Sequence, residues 1–196
     1  MKKLFLCAAV AVFAFSSMNA QEEGKTYGFS QGNIYASGSL NFNSSKTGDF
    51  KDNSFNFIPC VGFFVSDNVA VGAQLGIGSS KSENGSSTIS EFSTFAVGAY
   101  AKYYFTPAEQ FSFFGRFGVN YESAKNKISD VKADGFAFEL NPGLNYFLSE
   151  CIAIHATFGA LGYSSFKQDT PGAESTNNFG LNLDLKDIGF GVIVVF

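Results

Sequence analysis

Tryptophan is missing from this 196-residue chain, histidine occurs once, proline four times and cysteine three times. No cluster of His and Cys at metal-ligand spacing, no phosphate-cradling glycine loop and no nucleophile elbow occurs, so the common metal, nucleotide and hydrolase motifs are excluded. Long hydrophobic runs are also lacking. Nothing past the first twenty residues approaches 18 apolar residues in a row, so no membrane-crossing helix is available. Basic residues are few: 13 Lys and Arg stand against 17 Asp and Glu, which makes a poor partner for nucleic acid.

What is present begins with a leader. "MKKLFLCAAVAVFAFSSMNA" has a basic start (Lys2, Lys3), an apolar run from Leu4 to Phe15 and a short polar close at Ala20. That run is too short to span a bilayer and reads as a secretory signal peptide over residues 1–20, taking Cys7 with it. The rest, 21–196, reads as one domain. Without Lys2 and Lys3 the basic count falls from 13 to 11, so the net charge moves from −4 to −6.

Beyond residue 33, apolar residues alternate with small or polar ones at period two, the strand signature. Glycine is frequent, at 21 residues. The pattern predicts eight strands near 34–43, 54–65, 69–79, 92–105, 111–122, 135–147, 152–163 and 180–196. Short connections ("SDN", "TPAEQ", "SEC") alternate with long polar ones ("SSKTGDFKD", "SKSENGSSTIS", "SAKNKISDVKAD", "KQDTPGAESTNN"). Alternating short and long connections around an even number of strands make an antiparallel meander with every long loop at one end.

An internal repeat supports the hairpin unit. "PCVGFFVSDNVAVGAQLG" from Pro59 aligns without a gap to "PGLNYFLSECIAIHATFG" from Pro142, with six of 18 positions identical. "AVGAYAKYYFTPAEQFSFFGRFG" between them is a looser third copy.

The two faces of these strands differ in kind. In the last strand Ile188, Phe190, Val192, Val194 and Phe196 share a face. In the fifth, Phe111, Phe113, Phe117, Val119 and Tyr121 oppose Ser112, Arg116, Gly118 and Asn120. In the sixth, Phe136, Phe138, Leu140, Leu144 and Tyr146 oppose Glu139, Asn141, Gly143 and Asn145. Bulky side chains need the room outside a narrow barrel, whereas glycine, amides and a few ions suit its interior. A closed barrel also leaves no strand edge unpaired in lipid. The expected fold is therefore an all-β, eight-stranded, antiparallel, up-and-down transmembrane barrel rather than a soluble lipocalin-like carrier. Tyr103, Tyr104, Phe105, Phe111, Tyr146, Phe147 and Tyr163 are expected to supply the interfacial aromatic girdles.

At this point the pattern resembles the small eight-stranded outer-membrane barrels of the OmpA/OmpX-like and opacity-protein type, over residues from about 30 to 196. The resemblance is most specific at the end, where Ile188, Phe190, Val192, Val194 and Phe196 match that family's C-terminal assembly signal. It implies outer-membrane lipid as surroundings, periplasmic chaperones and the barrel-assembly machinery as partners during biogenesis, a monomeric state and a Gram-negative outer-membrane location. Some barrels of this size are enzymes, acyltransferases or lipid A deacylases, which need a histidine base near the outer leaflet. His155 falls on the inward face near a periplasmic turn, so it reads as a packing residue, and no catalysis and no cofactor or metal are expected.

Eight strands leave a lumen just wide enough for side chains to fill. Lys102, Arg116 and Glu139 fall on the inward faces of neighbouring strands. A buried charge is costly unless paired, so they are expected to form an ionic plug with Gln74, Tyr100, Asn141 and Asn145. Cys60 and Cys151 also fall inward by parity, on strands that are not neighbours and at different heights, so both are expected to be free thiols. The function that follows is a non-enzymatic envelope barrel contributing to envelope structure or surface interaction through polar extracellular loops, with a narrow porin-like channel as the alternative and a soluble lipocalin-like periplasmic binder as the second.

Overall fold

The computed structural model describes residues 27–182 and 188–196. The proposed leader over residues 1–20 lies outside them. Ten strand segments follow in order: β1 (Ile34–Thr47), β2 (Phe50–Phe64), β3 (Val69–Asn84), β4 (Ser87–Tyr104), β5 (Phe111–Asn126), β6 (Lys132–Phe147), β7 (Ile152–Thr157), β8 (Ala160–Gln168), β9 (Ser175–Asn182) and β10 (Gly189–Val195). All pairings are antiparallel. β1 to β6 pair in sequence, β6 pairs with β7 and β8, and β10 joins β7 to β1. Segments β7 and β8 lie along the same neighbour and make the seventh strand; β9 pairs β8 and β10 pairs β7, which makes the eighth. The result is a closed, eight-stranded, up-and-down barrel.

Closure is carried by the C-terminal segment. Tyr35 faces Val195 and Gly38 faces Val192 across the β1–β10 seam, and the Phe196 amide donates to the Ile34 carbonyl at 2.8 Å. A hydrogen-bonded ring of strands is what lipid demands, since no water is available there to satisfy a free edge.

The strands run longer than their hydrophobic pattern. β3 continues to Asn84 and β4 starts at Ser87, so most of "SKSENGSSTIS" is paired backbone and not loop. The same holds around Gly48 and around "SAKNKISDVKAD". The expectation of long polar loops is thus corrected: the strands of the wall continue through most of these stretches and end in short turns. The physical reason is that a strand standing in water on both faces has no apolar side, and its period-two signal disappears. Turn chemistry confirms the change. Gly48–Asp49 and Gly85–Ser86 are two-residue connections, each with Gly at positive φ (61° and 59°) in the first central position, as a type II′ hairpin turn takes. The two tips touch, the Gly85 amide donating to the Asp49 carbonyl at 2.8 Å.

Ion pairs brace these projecting hairpins: Lys127 to Glu91 at 2.9 Å, Lys125 to Asp130 at 2.7 Å and Lys132 to Asp134 at 3.0 Å. The lysine beside it holds the Asp130 carboxyl below the usual carboxylate range. Such exposed pairs contribute little individually, because water and salt screen them.

Apolar side chains face outward over the middle of the wall. Leu40, Val61, Leu75, Val97, Phe117, Leu140 and Val192 are all exposed, while Tyr35, Tyr100, Asn120 and Asn145 are buried on the opposite face. This is the arrangement of a membrane barrel and the reverse of a soluble carrier. A photoreactive label carried on lipid tails should therefore mark Phe117 and Val192 and spare Arg116 and Glu139. Labelling of the latter pair alone would turn the barrel inside out.

Candidate functional site: the barrel lumen

From the end where β1 begins upward, the lumen is filled in layers. The lowest layer is aromatic. The chain before β1 crosses the barrel mouth and inserts Phe29, which is 3% exposed. Its ring stacks on Phe64 at 4.6 Å and meets Phe147 at 4.8 Å, Tyr104 at 4.9 Å and Tyr35 at 6.0 Å. Aromatic pairs of this kind add about 0.5–1.5 kcal/mol each beyond the area they bury. The backbone is fastened as well, the Phe29 amide donating to the Pro107 carbonyl at 2.7 Å. Gly28 permits that approach: it has a φ of 106°, and a Cβ there would strike the backbone of Pro107 and Ala108.

Above this seal sits Lys102, buried on β4 with its Nζ 4.7 Å from the centre of the Phe114 ring, 5.5 Å from Tyr35 and 5.6 Å from Tyr100. A desolvated cation over an aromatic face gains about 2 kcal/mol or more. The expectation that Lys102 shares an ionic cluster with Glu139 therefore gives way to an aromatic cage. The register explains it. Lys102 on β4 lies opposite Arg116 on β5, whereas Glu139 on β6 lies opposite Gly118, one strand further round and one pleat higher.

The third layer is polar. Arg116 places Nη1 3.7 Å from Glu139 Oε2, donates from Nη1 to Asn141 Oδ1 at 3.2 Å and from Nη2 to Gln74 Oε1 at 2.5 Å. Gln74 Nε2 donates in turn to Asn120 Oδ1 at 2.6 Å. The guanidinium lies 5.2 Å from the Tyr100 ring, whose hydroxyl donates to the Val61 carbonyl at 3.2 Å. The guanidinium is mostly buried but the Glu139 side chain is 39% exposed, so hydrogen bonds to amides carry most of this layer and the ion pair adds modestly. Arg116, Glu139, Gln74 and Tyr100 thus come together. Asn145 does not join them; it is buried lower down, opposite His155 across the β6–β7 ladder.

Among the described residues, two cavities adjoin the polar layer. The smaller, about 190 Å³, lies between the cage and the polar layer and is lined by Ser37, Cys60, Lys102, Arg116, His155 and Thr157. The larger, about 510 Å³, is a vestibule toward the Gly48 and Gly85 hairpin tips, with Asn56, Thr94, Asn120, Glu122 and Phe166 in its wall. Ile58, Gln74 and Glu139 border both cavities.

Several sequence-based positions shift. Cys60 faces the lumen, its thiol 4.0 Å from Gln74 Oε1, but Cys151 is exposed, because it lies in the turn before β7, where strand parity no longer applies; both are free thiols. Tyr103, Phe105, Phe111, Tyr146 and Tyr163 point outward as girdle residues should. Tyr104 and Phe147 do not: both are fully buried in the aromatic seal.

Phe29 and Phe114 escaped the sequence reading. A signal was present in four aromatic doublets, Phe63–Phe64, Tyr103–Tyr104, Phe113–Phe114 and Tyr146–Phe147. Successive strand residues face opposite ways, so each doublet must send one ring out and one in. In all four the second ring is the buried one.

A closed ring of strands with lipid-facing aromatics outside and a packed polar lumen inside defines a small membrane barrel. The chain belongs to the outer membrane protein beta-barrel domain family, whose model matches residues 5–196. It is similar in fold to the outer membrane protein OprG of Pseudomonas aeruginosa, at 16% identity and TM-score 0.51, over 85% of this chain and 97% of that one. The N-terminal barrel domain of OprF from the same organism gives 14% identity and TM-score 0.51, over 86% and 100%. No curated protein matches the sequence.

Proposed function

We propose that this barrel is a non-conducting, non-enzymatic component of a Gram-negative outer membrane, OmpX-like in action, contributing to envelope structure or surface interaction. The observation that carries this reading is the aromatic seal. Phe29, Tyr35, Phe64, Tyr104 and Phe147 are buried and pack ring against ring at the end of the lumen where β1 begins, which supports a barrier to hydrated ions. Eight-stranded barrels of this width are generally filled by their own side chains. The outward contacts are then made by rigid, polar, projecting hairpins, with their charges at the rim. Export through the 1–20 leader, handling by chaperones and recognition of the Phe196-terminated strand by the assembly machinery complete the proposed route.

Planar-bilayer recording tests the reading. The purified barrel should show very low conductance, and Glu139→Ala should raise it only slightly, because the block lies below Glu139. Steady, large single-channel openings in the wild type would favour the narrow-channel alternative instead. A lipid modification lost with His155→Ala would favour catalysis.

A further inference from the structure

The cavity between the aromatic cage and the polar layer is unusual in its charge. Arg116 has Glu139 as its counter-ion, but Lys102 has none: among the described residues its ammonium lies over three ring faces and makes no ion pair and no hydrogen bond. Lys102 is nonetheless 5% exposed. A cation so far removed from water is expensive unless something answers it. Three rings answer part of that cost. Lys102 lines the cavity of about 190 Å³, together with the hydroxyl-bearing residues Ser37 and Thr157. Among the described residues, counting Lys102 and Arg116 against Glu139 leaves one uncompensated positive charge around this space.

We propose that this cavity is a binding site for a small monovalent anion, of the size of a halide or a short carboxylate. Lys102 supplies the charge, Ser37 and Thr157 supply hydroxyl donors, and the rings beneath close the site. One negative charge neutralises the cavity, which selects against divalent anions. The volume admits such an ion together with a few waters. Entry is from the extracellular side, since the vestibule and this cavity share Ile58, Gln74 and Glu139 as a common border, while the seal around Phe29 blocks the other end. The site is a dead end and does not require conduction, so it stands or falls separately from the non-conducting role.

The test uses the full barrel, folded in detergent micelles, and chloride as the probe. The chloride-35 resonance should broaden in the presence of the wild-type protein. Acetate should reverse the excess broadening, and gluconate, too large for the cavity, should leave it unchanged. Thermal unfolding at constant ionic strength should shift upward saturably as chloride replaces gluconate. Lys102→Met should abolish both effects while still migrating as a folded barrel on an unboiled gel. Should that variant fail to fold, Thr157→Val, which keeps the shape and removes one donor, should weaken chloride binding several-fold. The proposal is overturned if the wild type shows no saturable response, if gluconate matches chloride, or if a folded Lys102→Met protein responds like the wild type.

Discussion

Replacing Phe29 by alanine should cost this barrel about 3–5 kcal/mol, the range for deleting a fully buried aromatic ring. The side chain is 3% exposed and touches four other rings, each from a different strand or strand end: Tyr35 on β1, Phe64 on β2, Tyr104 on β4 and Phe147 on β6. Those four cannot collapse inward to fill the gap, because each is anchored to a hydrogen-bonded wall of fixed circumference. The cavity term is therefore retained nearly in full. Chemical unfolding from micelles should show a lower midpoint, and bilayer recording should show conductance above the wild-type level, since the lost ring is the cork of the periplasmic mouth. A Phe29→Ala protein with unchanged midpoint and unchanged conductance would mean that the seal is held by the strand aromatics alone. Phe29→Leu should recover most of the stability, as it restores apolar volume without the ring contacts.

The internal repeat shows how far the sequence could be read and where it stopped. Its identities are the residues the hairpin geometry constrains. Phe64 and Phe147 occupy equivalent places and both stack on Phe29. Ser66 and Ser149 both accept, through the hydroxyl, from the amide three residues on, Val69 at 3.2 Å and Ile152 at 3.1 Å. Ala70 and Ala153 are both fully buried directly after the turn. Face assignment, strand count and the short turns were legible because lipid on one side and a packed lumen on the other give each residue a two-way choice that composition reveals. The projecting hairpins were not, because water on both sides removes that choice. Phe29 was not, because it precedes the first strand and has no periodic neighbours to place it. The partner of Lys102 was not legible either. Parity tells which face a residue is on, but only the inter-strand register sets its height, and height is what separates the aromatic cage from the Arg116 layer.

The lumen aromatics lie over glycines on the neighbouring strand, and this pairing makes a sharp prediction. The nearest atoms a Cβ on Gly62 would meet belong to the Tyr35 ring, one on Gly143 would meet the Phe114 ring and the Ala156 carbonyl, and one on Gly72 would meet both the Tyr100 ring and the Val61 carbonyl. Ring atoms at the end of a side chain can swing by some tenths of an ångström. A carbonyl within the β2–β3 ladder cannot, because it is fixed by the pairing of Val61 with Ala73 and Gly62 with Gly72. Moreover, Tyr100 donates its hydroxyl to that same Val61 carbonyl, so displacing either one breaks the contact. Gly72→Ala should therefore cost at least the 1–3 kcal/mol typical of overpacking and lower the folded fraction seen on an unboiled gel. Gly38→Ala is the matched control: a Cβ there finds its nearest neighbour, the Ile58 carbonyl, at 3.6 Å, an ordinary contact, and the protein should fold as the wild type does. Equal folding yields for the two variants would show that the Tyr100 ring and the β2 backbone give way more easily than a closed barrel allows.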